Sequence, residues 1–306
     1  MGLVGWYGER NDAEAQATIL AALDAGVTHL DTAASYQVGE NEKFVGAAIR
    51  SRRDAVFLAT KCGILWREGV LTIDNRPESI RSSCEASLAR LGTDHIDLFY
   101  LHRIDRTVPI EESVGALAQL VEAGKIRYAG LSECSVATLR RACAVHPIAA
   151  VQVEYSMWWR DPERELLPAC RELGVSCVAY SPLGRGFLAG NFRTLDDLPA
   201  GDARRNQPRF SADNVAHNAR IAEAVRAFAV RKAATPAQIA LAWVLAQGQD
   251  ILPIPGTKRR ARLQENVAAL SVTLATAELE SLNAEIARIA VRGERYPPAM
   301  MQALGG

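Results

Sequence analysis

Short apolar runs alternate with amphipathic segments along nearly the whole chain of 306 residues, and this alternation constrains the fold more than any other feature. We predict seven strands, at Val27–Thr32, Val56–Lys61, Ile96–His102, Ile126–Ser132, Ala149–Glu154, Val175–Ser181 and Ile251–Pro255. Helical periodicity fills the intervals, for example at Asp12–Ala25, Glu42–Arg50, Pro77–Leu91, Ile110–Ala123, Val136–Val145 and Asp161–Leu173. Such alternation predicts parallel strands joined by helical crossovers.

The predicted strands are continuously apolar, which is typical of strands with both faces buried. Seven strands, with the remnant of another at the N-terminus, predict an α/β fold of the (β/α)8 TIM-barrel type. No linker or shift in composition divides residues 1–306, so we expect one domain. The alternative, a doubly wound sheet, usually carries GxGxxG after its first strand. Gly184 and Gly186 follow a strand, but Gly190 comes one position too late, so we favour the barrel.

Charge and cysteine usage indicate which partners to expect. Lys+Arg and Asp+Glu both number 35, so the balanced chain gives no electrostatic reason to expect nucleic acid or an anionic membrane as partner. The six cysteines are scattered without a CxxC pair, which argues against a metal site or a disulfide framework. There is no signal-peptide pattern and no apolar run long enough to span a membrane, so we expect a cytoplasmic protein.

Polar residues stand at the carboxyl ends of the predicted strands, where a barrel assembles its active site. They are Asp31, Lys61, His102, Ser132-Glu133, Gln152, Tyr180-Ser181 and Gly256-Thr257-Lys258. Each alone has an ordinary structural explanation, such as a helix cap, a solvated lysine or a packed histidine. Together, they are expected to converge on one rim because parallel strands end on the same side.

The chemistry of four of these positions suits the reduction of a carbonyl group. Tyr36, five residues after Asp31, carries a phenol that is a poor acid at neutral pH. A nearby ammonium, such as that of Lys61, favours the phenolate and brings proton donation closer to working pH. Asp31 can hold Lys61 by a charge-assisted hydrogen bond, and His102 can orient a substrate oxygen.

These residues lie in stretches that resemble the aldo-keto reductases. The matching stretches are LDTAASYQVGENE, FLATKCG, LFYLHRID, IRYAGLSE, AVQVEYS, VAYSPLGRGFL and PIPGTKRRARLQEN. The resemblance covers the whole chain and is strongest to the branch whose seventh strand ends in YSPLGRG. It implies a catalytic tetrad of Asp31, Tyr36, Lys61 and His102, in which Tyr36 is the general acid and NADPH supplies hydride.

The resemblance also implies the residues that hold NADPH. They are Ser132, Gln152, Tyr180, Ser181, Leu183, Gly184, Arg185, Thr257, Lys258, Arg262, Glu265 and Asn266. The first two match the carboxamide partners, Tyr180 the ring that stacks on nicotinamide, the residues from Ser181 to Arg185 the pyrophosphate loop, and the last two the adenine contacts.

Lys258 and Arg262 lie four apart where a helix is predicted to begin. We expect this spacing to place both on one helical face, where the cations and the helix N-terminus hold a 2′-phosphate. The alternative is an ordinary solvated basic run.

Aromatic residues on loops over the rim are candidates for the substrate pocket. They are Trp6, Trp66, Trp158 and Trp159. An apolar wall of this kind suits aldehydes and ketones with hydrophobic bodies, although adjacent tryptophans are also common in cores. The long segment after Leu183 carries Phe187, Phe192 and Phe210, so we expect an ordered lid there.

The chain departs from the aldo-keto reductase pattern in three places. Glu133 stands where many relatives have Asn, and Gln37 follows the tyrosine where Gly is common. Relatives also carry a hairpin and most of strand one ahead of the segment that matches Met1. We hypothesise that the reading frame starts late or that the protein is marginally stable, because unpaired strand edges are a liability.

Two other functions remain as alternatives. One is a cofactor-sensing binding protein on the same barrel, similar to potassium-channel auxiliary subunits. The other is a barrel isomerase or hydrolase, which would need a phosphate site and an acid–base pair or metal ligands. The complete tetrad favours a carbonyl reductase acting on a small molecule, and the sequence leaves its oligomeric state open.

Overall fold

The structure is a computed structural model that describes residues 2–5, 9–67 and 70–306. In these ranges the strands are β1 (His29–Asp31), β2 (Phe57–Cys62), β3 (Ile64–Arg67), β4 (Val70–Ile73), β5 (Ile96–Leu101), β6 (Ile126–Ser132), β7 (Ile148–Glu154), β8 (Ser176–Tyr180) and β9 (Ile251–Pro253). The helices are α1 (Asp12–Asp24), α2 (Glu40–Ile49), α3 (Pro77–Leu91), α4 (Ile110–Glu122), α5 (Val136–Val145), α6 (Leu166–Leu173), α7 (Ala212–Arg231), α8 (Pro236–Leu245), α9 (Arg260–Ala268), α10 (Thr276–Ala287) and α11 (Pro298–Met301). None of the described helices is long and apolar enough to cross a lipid bilayer.

The main sheet has seven parallel strands in the order β1-β2-β5-β6-β7-β8-β9. It is curled, since side chains from strands that are not neighbours, among them Ala59 on β2 and Val178 on β8, share one small inner cluster with Tyr100. Helices cover the outer face and build the larger core. The predicted α/β barrel is confirmed, and all seven predicted strands form.

The eighth barrel position lies between β9 and β1, and no strand of the described residues fills it. Residues 2–5 precede β1 as bends rather than as a strand. Leu3 is buried among them, and its N–H donates to Asn41 Oδ1 at 2.8 Å. This segment therefore packs on the barrel without extending the sheet.

Local departures from the predicted elements have simple causes. The predicted helix Asp161–Leu173 divides into a short turn, Asp161–Glu163, and α6, because Glu165 has a non-helical backbone (φ −138°). An antiparallel hairpin, β3–β4, follows β2 and was not predicted. Helix α8 begins with a capping box: Thr235 Oγ1 accepts from Gln238 N, and Gln238 Oε1 accepts from Thr235 N at 2.9 Å.

Residues 184–210, the predicted lid, form a series of short 3-10 turns over the carboxyl end of the barrel. Phe187, Phe192 and Phe210 are all buried, and their ring centroids lie 5.2–5.8 Å apart. Trp158, from the segment after β7, stacks on Phe187 at 4.9 Å. This cluster, Trp158 with the three phenylalanines, anchors the lid to the barrel and gives it the order that its aromatic residues predict.

Candidate active site

Asp31 and Lys61 form a buried ion pair at the ends of β1 and β2. The parallel register places Asp31 beside Ala59, two residues before Lys61. Lys61 Nζ hydrogen-bonds to Asp31 Oδ1 and donates to the Thr32 carbonyl at 2.7 Å. Asp31 Oδ2 accepts from Gln152 Nε2 at 2.8 Å. The Lys61 side chain is completely inaccessible to solvent, so this polar set fixes the direction of its ammonium.

The charges of this pair are set by burial and by each other. Burial alone would raise the pKa of Asp31, but the Lys61 ammonium overcomes it and holds the pKa below its usual value. Burial lowers the pKa of Lys61, and Asp31 only partly offsets this. Asp31 is therefore a carboxylate at neutral pH.

Tyr36 and His102 lie beside this pair. Tyr36 begins a short 3-10 turn after β1, and its ring lies 5.9 Å from that of His102 in an edge-to-face arrangement. Lys61 Nζ is 5.5 Å from the centroid of the Tyr36 ring. Ser35 Oγ lies 3.3 Å from His102 Nδ1, a contact that sequence reasoning missed although Ser35 adjoins the phenol. The structure thus brings the four predicted tetrad side chains together.

The imidazole of His102 is neutral. Burial lowers its pKa well below the usual value, and the neighbouring cations Arg103 and Lys61 lower it further. Arg103 is itself buried, and its Nη1 donates to the His102 carbonyl at 2.6 Å. A neutral imidazole keeps one N–H and one lone pair available for hydrogen bonding.

This buried histidine predicts an acid-sensitive fold. Between the folded pKa and the unfolded value of about 6.5, only the unfolded chain binds the proton, so the free energy of unfolding falls as the pH falls. Urea denaturation at pH 7 and pH 5 should show a loss of stability that is smaller in His102→Gln than in the wild type. His146→Gln, at a half-buried histidine outside the site, should lose as much as the wild type. Equal losses in all three proteins would contradict the prediction.

The backbone after Tyr36 is left-handed at two residues that are not glycine. Gln37 has φ 49° and Val38 has φ 51°, and for a β-branched residue this conformation is unusual. Gly39 (φ 88°) completes the turn into α2. The absence of a glycine after the phenol therefore does not prevent the turn, but it forces two side-chain-bearing residues into a strained region.

Two polar residues at the start of α2 hold the ends of β1 and β2. Asn41 Nδ2 donates to Thr32 Oγ1 at 2.7 Å. Glu42, completely buried, accepts from Thr60 Oγ1 at 2.5 Å and from Arg90 Nε at 2.6 Å. Sequence reasoning assigned them no role, although both lie in the same motif as Asp31 and Tyr36. They fix the strand ends from which Asp31 and Lys61 project.

The three residues predicted to meet the nicotinamide lie at the ends of β6, β7 and β8. Gln152 is already bonded to Asp31, and Ser132 Oγ accepts from Arg103 Nη1 at 3.5 Å. The hydroxyl of Tyr180 lies 2.8 Å from Glu133 Oε1 and 3.0 Å from the hydroxyl of Tyr296. Of the three, Gln152 contacts the tetrad directly, through its hydrogen bond to Asp31.

The loop after β8 has a backbone suited to an anion. Leu183 (φ −96°) is followed by Gly184 (φ 55°) and Arg185 (φ 59°), and Ser181 is also left-handed (φ 51°). A right-handed residue followed by a left-handed one, as at Leu183–Gly184, turns neighbouring N–H groups toward one side, and the N–H of Gly184 itself donates to the Ser181 carbonyl at 2.9 Å. A Cβ on Gly184 would lie only 3.0 Å from the Trp158 ring, so the close approach requires glycine. The assignment of this loop to a pyrophosphate stays a prediction.

The predicted phosphate site stays a prediction, and the helical face predicted for it is wrong. Helix α9 begins at Arg260, so Lys258 precedes it and does not share a helical face with Arg262. The reason is a turn in which Thr257 Oγ1 accepts from Arg259 N at 3.2 Å. Lys258 is half-buried, and burial lowers its pKa.

Arg262 is engaged by neighbours on two sides. Its Nη1 donates to Glu265 Oε2 at 2.6 Å and its Nη2 to Asn191 Oδ1, on the lid, at 3.1 Å. Asn266 is half-buried beside them. A ligand that binds the Arg262 side chain would therefore also affect its hydrogen bond to Asn191 on the lid.

The predicted pocket tryptophans lie in different surroundings. Trp66 is 47% exposed on β3, whereas Trp158 is buried in the lid cluster. Trp159 is half-buried between the guanidinium groups of Arg209 and Arg295, at 4.8 and 4.7 Å. Trp6 lies outside the described residues. The burial of Trp158 favours its core explanation, and the pocket assignment of the other two stays a prediction.

The described residues hold no group of three His, Cys, Asp or Glu side chains placed to bind a metal ion.

Sequence reasoning missed one arginine near the site, Arg295, because the tail after α10 has no periodic pattern to single it out. Arg295 is buried and makes two hydrogen bonds to Glu133, of 2.7 and 2.8 Å. The departure at Glu133 was the one sequence signal near this pair.

Comparison with known proteins shows which family this chain resembles. Residues 1–287 match the model of the Aldo/keto reductase family. A soybean (Glycine max) protein named "Probable aldo-keto reductase 1" is 45% identical over 299 residues, which are 97% of this chain and 86% of that protein.

Solved structures give the same grouping. A glycerol dehydrogenase from Gluconobacter oxydans has a TM-score of 0.86 at 29% identity, covering 97% of this chain and 92% of that one. An aldo/keto reductase from Klebsiella pneumoniae, solved in complex with NADP and acetate, has a TM-score of 0.70 at 30% identity, covering 94% and 88%.

Proposed function

We propose, from the premise that the chain belongs to the aldo/keto reductase family, that it reduces aldehydes or ketones to alcohols with NADPH and uses Tyr36 as the general acid. Members of this family are oxidoreductases that act on small carbonyl compounds with NADP(H). This chain is therefore an NADP(H)-dependent oxidoreductase. The observation that carries the finer proposal is the convergence of Tyr36, His102 and the buried Lys61–Asp31 pair at one rim.

Each tetrad residue has a definite task in this proposal. The Tyr36 hydroxyl donates its proton to the carbonyl oxygen as hydride reaches the carbonyl carbon. The Lys61 ammonium favours the negative charge that develops on the Tyr36 oxygen, and Asp31 holds that ammonium in place. With Ser35 donating to Nδ1, the neutral His102 carries its hydrogen on Nε2 and donates it to the substrate oxygen.

The residues present fit NADPH, whose nicotinamide supplies the hydride. Ser132, Gln152 and Tyr180 would hold the nicotinamide, and Ser181, Leu183, Gly184 and Arg185 the pyrophosphate. Thr257, Lys258, Arg262, Glu265 and Asn266 would hold the 2′-phosphate and adenine. The left-handed loop after β8 supports the second assignment, and the half-buried Lys258 supports the third.

The setting of the enzyme is a further part of the proposal. The six cysteines are free, and burial raises the pKa of the thiols of Cys62, Cys134 and Cys177. Unpaired and unreactive thiols suit a reducing compartment, so we place the chain in the cytoplasm as one barrel domain.

A direct test measures NADPH oxidation by the purified chain against a panel of aldehydes and ketones, with NADH in parallel. Lys258→Met should raise the Kd for NADPH about tenfold or more, because a charged hydrogen bond to the 2′-phosphate is lost. Its Kd for NADH should not change.

Lys43→Met, at an exposed lysine on α2, is the control and should bind both cofactors like the wild type. A wild type that oxidises NADPH with no member of the panel would refute the proposed activity. An equal loss of NADPH and NADH binding in Lys258→Met would refute the phosphate assignment.

A further inference from the structure

Glu133 is the centre of a buried network that joins three parts of the chain. It follows β6 in a left-handed conformation (φ 54°), and only 5% of it is exposed. Its Oε1 accepts from Tyr180 OH at 2.8 Å, from Arg295 Nη1 at 2.7 Å and from Glu154 N at 3.1 Å. Its Oε2 accepts from Arg295 Nη2 at 2.8 Å. We call Glu133 and Arg295 the latch.

The latch fastens the segment after α10 to the barrel rim. Besides the two bonds of Arg295, the Glu133 carbonyl accepts from Gly305 N at 2.9 Å. Next to Arg295, the Tyr296 hydroxyl lies 3.0 Å from that of Tyr180. The segment is thus attached at the ends of β6 and β8, where the nicotinamide is expected.

The pairing with Arg295 also keeps the Glu133 carboxyl group ionised. Burial alone would raise the pKa of Glu133, but the hydrogen bonds and charge of Arg295 hold it below its usual value. Glu133 is therefore a carboxylate that is already saturated by Arg295, Tyr180 and a backbone N–H. It has little capacity left for a ligand, so its effect on a ligand must pass through a neighbour.

We propose that the latch positions the Tyr180 ring for the nicotinamide, so that Glu133 and Arg295 are positioning residues for cofactor binding. The hydroxyl of Tyr180 is held by Glu133, which fixes the plane of the ring on which the cofactor stacks. Arg295 holds the Glu133 carboxylate by two parallel hydrogen bonds, a geometrically specific contact. This inference rests on the proposed function, because it takes Tyr180 as the stacking residue.

The test removes both charges of the latch together, so that neither is left buried without the other. Replacing both partners of a buried pair by apolar residues of similar size is tolerated far better than replacing one. In Glu133→Met/Arg295→Met, we expect the Kd for NADPH to rise about tenfold, at a temperature where every variant is folded. The Kd is measured by energy transfer from tryptophan to bound NADPH, without turnover.

A second variant tests the route through Tyr180. Tyr180→Phe keeps the ring and removes only the hydroxyl, so it should raise the Kd by a similar factor. The triple variant, Glu133→Met/Tyr180→Phe/Arg295→Met, should bind NADPH no more weakly than the weaker binder of the latch variant and Tyr180→Phe. The reason is that both of these variants break the same hydrogen bond, between Tyr180 and Glu133. Effects that multiply would overturn the route through Tyr180.

The matched control is another buried carboxylate that binds arginine. Asp97 accepts from Arg53 Nη2 at 2.8 Å. It lies near the start of β5, at the amino end of the barrel, whereas Tyr180 lies at the carboxyl end. Asp97→Asn should lower the melting temperature and leave the Kd unchanged. The same pattern in the latch variant would overturn the proposal, because it would show a merely structural role. A wild type that fails to bind NADPH overturns the proposed function as well, whereas equal binding by wild type and latch variant overturns only this inference.

Discussion

Tyr36→Phe is expected to lower kcat for carbonyl reduction by about 100- to 10,000-fold, the range that one general acid contributes. The change removes only the hydroxyl, so the ring keeps its edge-to-face contact with His102. The Kd for NADPH should therefore stay within about twofold of the wild type. Steady-state reduction of 4-nitrobenzaldehyde, followed by NADPH absorbance, measures kcat, and tryptophan energy transfer measures the Kd.

Tyr128→Phe is the matched control for this experiment. Tyr128 lies on β6, stacks on Phe57 and is 51% exposed. Its hydroxyl has no part in the proposed chemistry, so turnover should not change. Undiminished turnover in Tyr36→Phe would contradict the mechanism. Tight NADPH binding by a wild type with negligible turnover would instead favour the cofactor-sensing alternative.

Lys61→Met is expected to abolish turnover and to lower the free energy of unfolding by about 3–5 kcal/mol. The loss of stability follows from burial, because the carboxylate of Asp31 would lose the Lys61 ammonium that compensates its charge in the interior. Urea denaturation and NADPH oxidation measure the two effects.

A companion variant separates stability from catalysis. Asp31→Asn/Lys61→Met removes both charges and should recover a large part of the stability while staying inactive. Lys43→Met, which breaks the exposed pair with Glu40, should leave the free energy of unfolding nearly unchanged. A Lys61→Met variant as stable as the wild type would contradict the energetic argument, and a recovery of turnover in the companion would contradict the catalytic one.

The barrel and the meeting of the four tetrad side chains at its rim could be predicted from the sequence because both depend on local patterns. A strand that ends in Asp31, Lys61 or His102 places that residue at the rim whatever the details of packing. The lid was predictable for a related reason, since Phe187, Phe192 and Phe210 are too apolar for a solvated loop.

The remaining features depend on contacts between distant parts of the chain, which no local pattern contains. Arg295 meets Glu133 across 162 positions, and Arg262 meets Asn191 across 71. The error at Lys258 has a different origin: the turn at Thr257 delays the start of α9, and a spacing of four predicts a shared face only inside a helix. Trp158 resembled a pocket residue because its contacts with the lid are also distant in sequence.

The complete enclosure of the Lys61 side chain has a consequence for the chemical modification of this protein. Acylating reagents attack neutral amines that they can reach, and Lys61 is beyond their reach while the fold is intact. Lys43, with 58% of its side chain exposed, is within their reach. Attachment to a solid support through surface amines should therefore leave the Lys61–Asp31 pair unmodified.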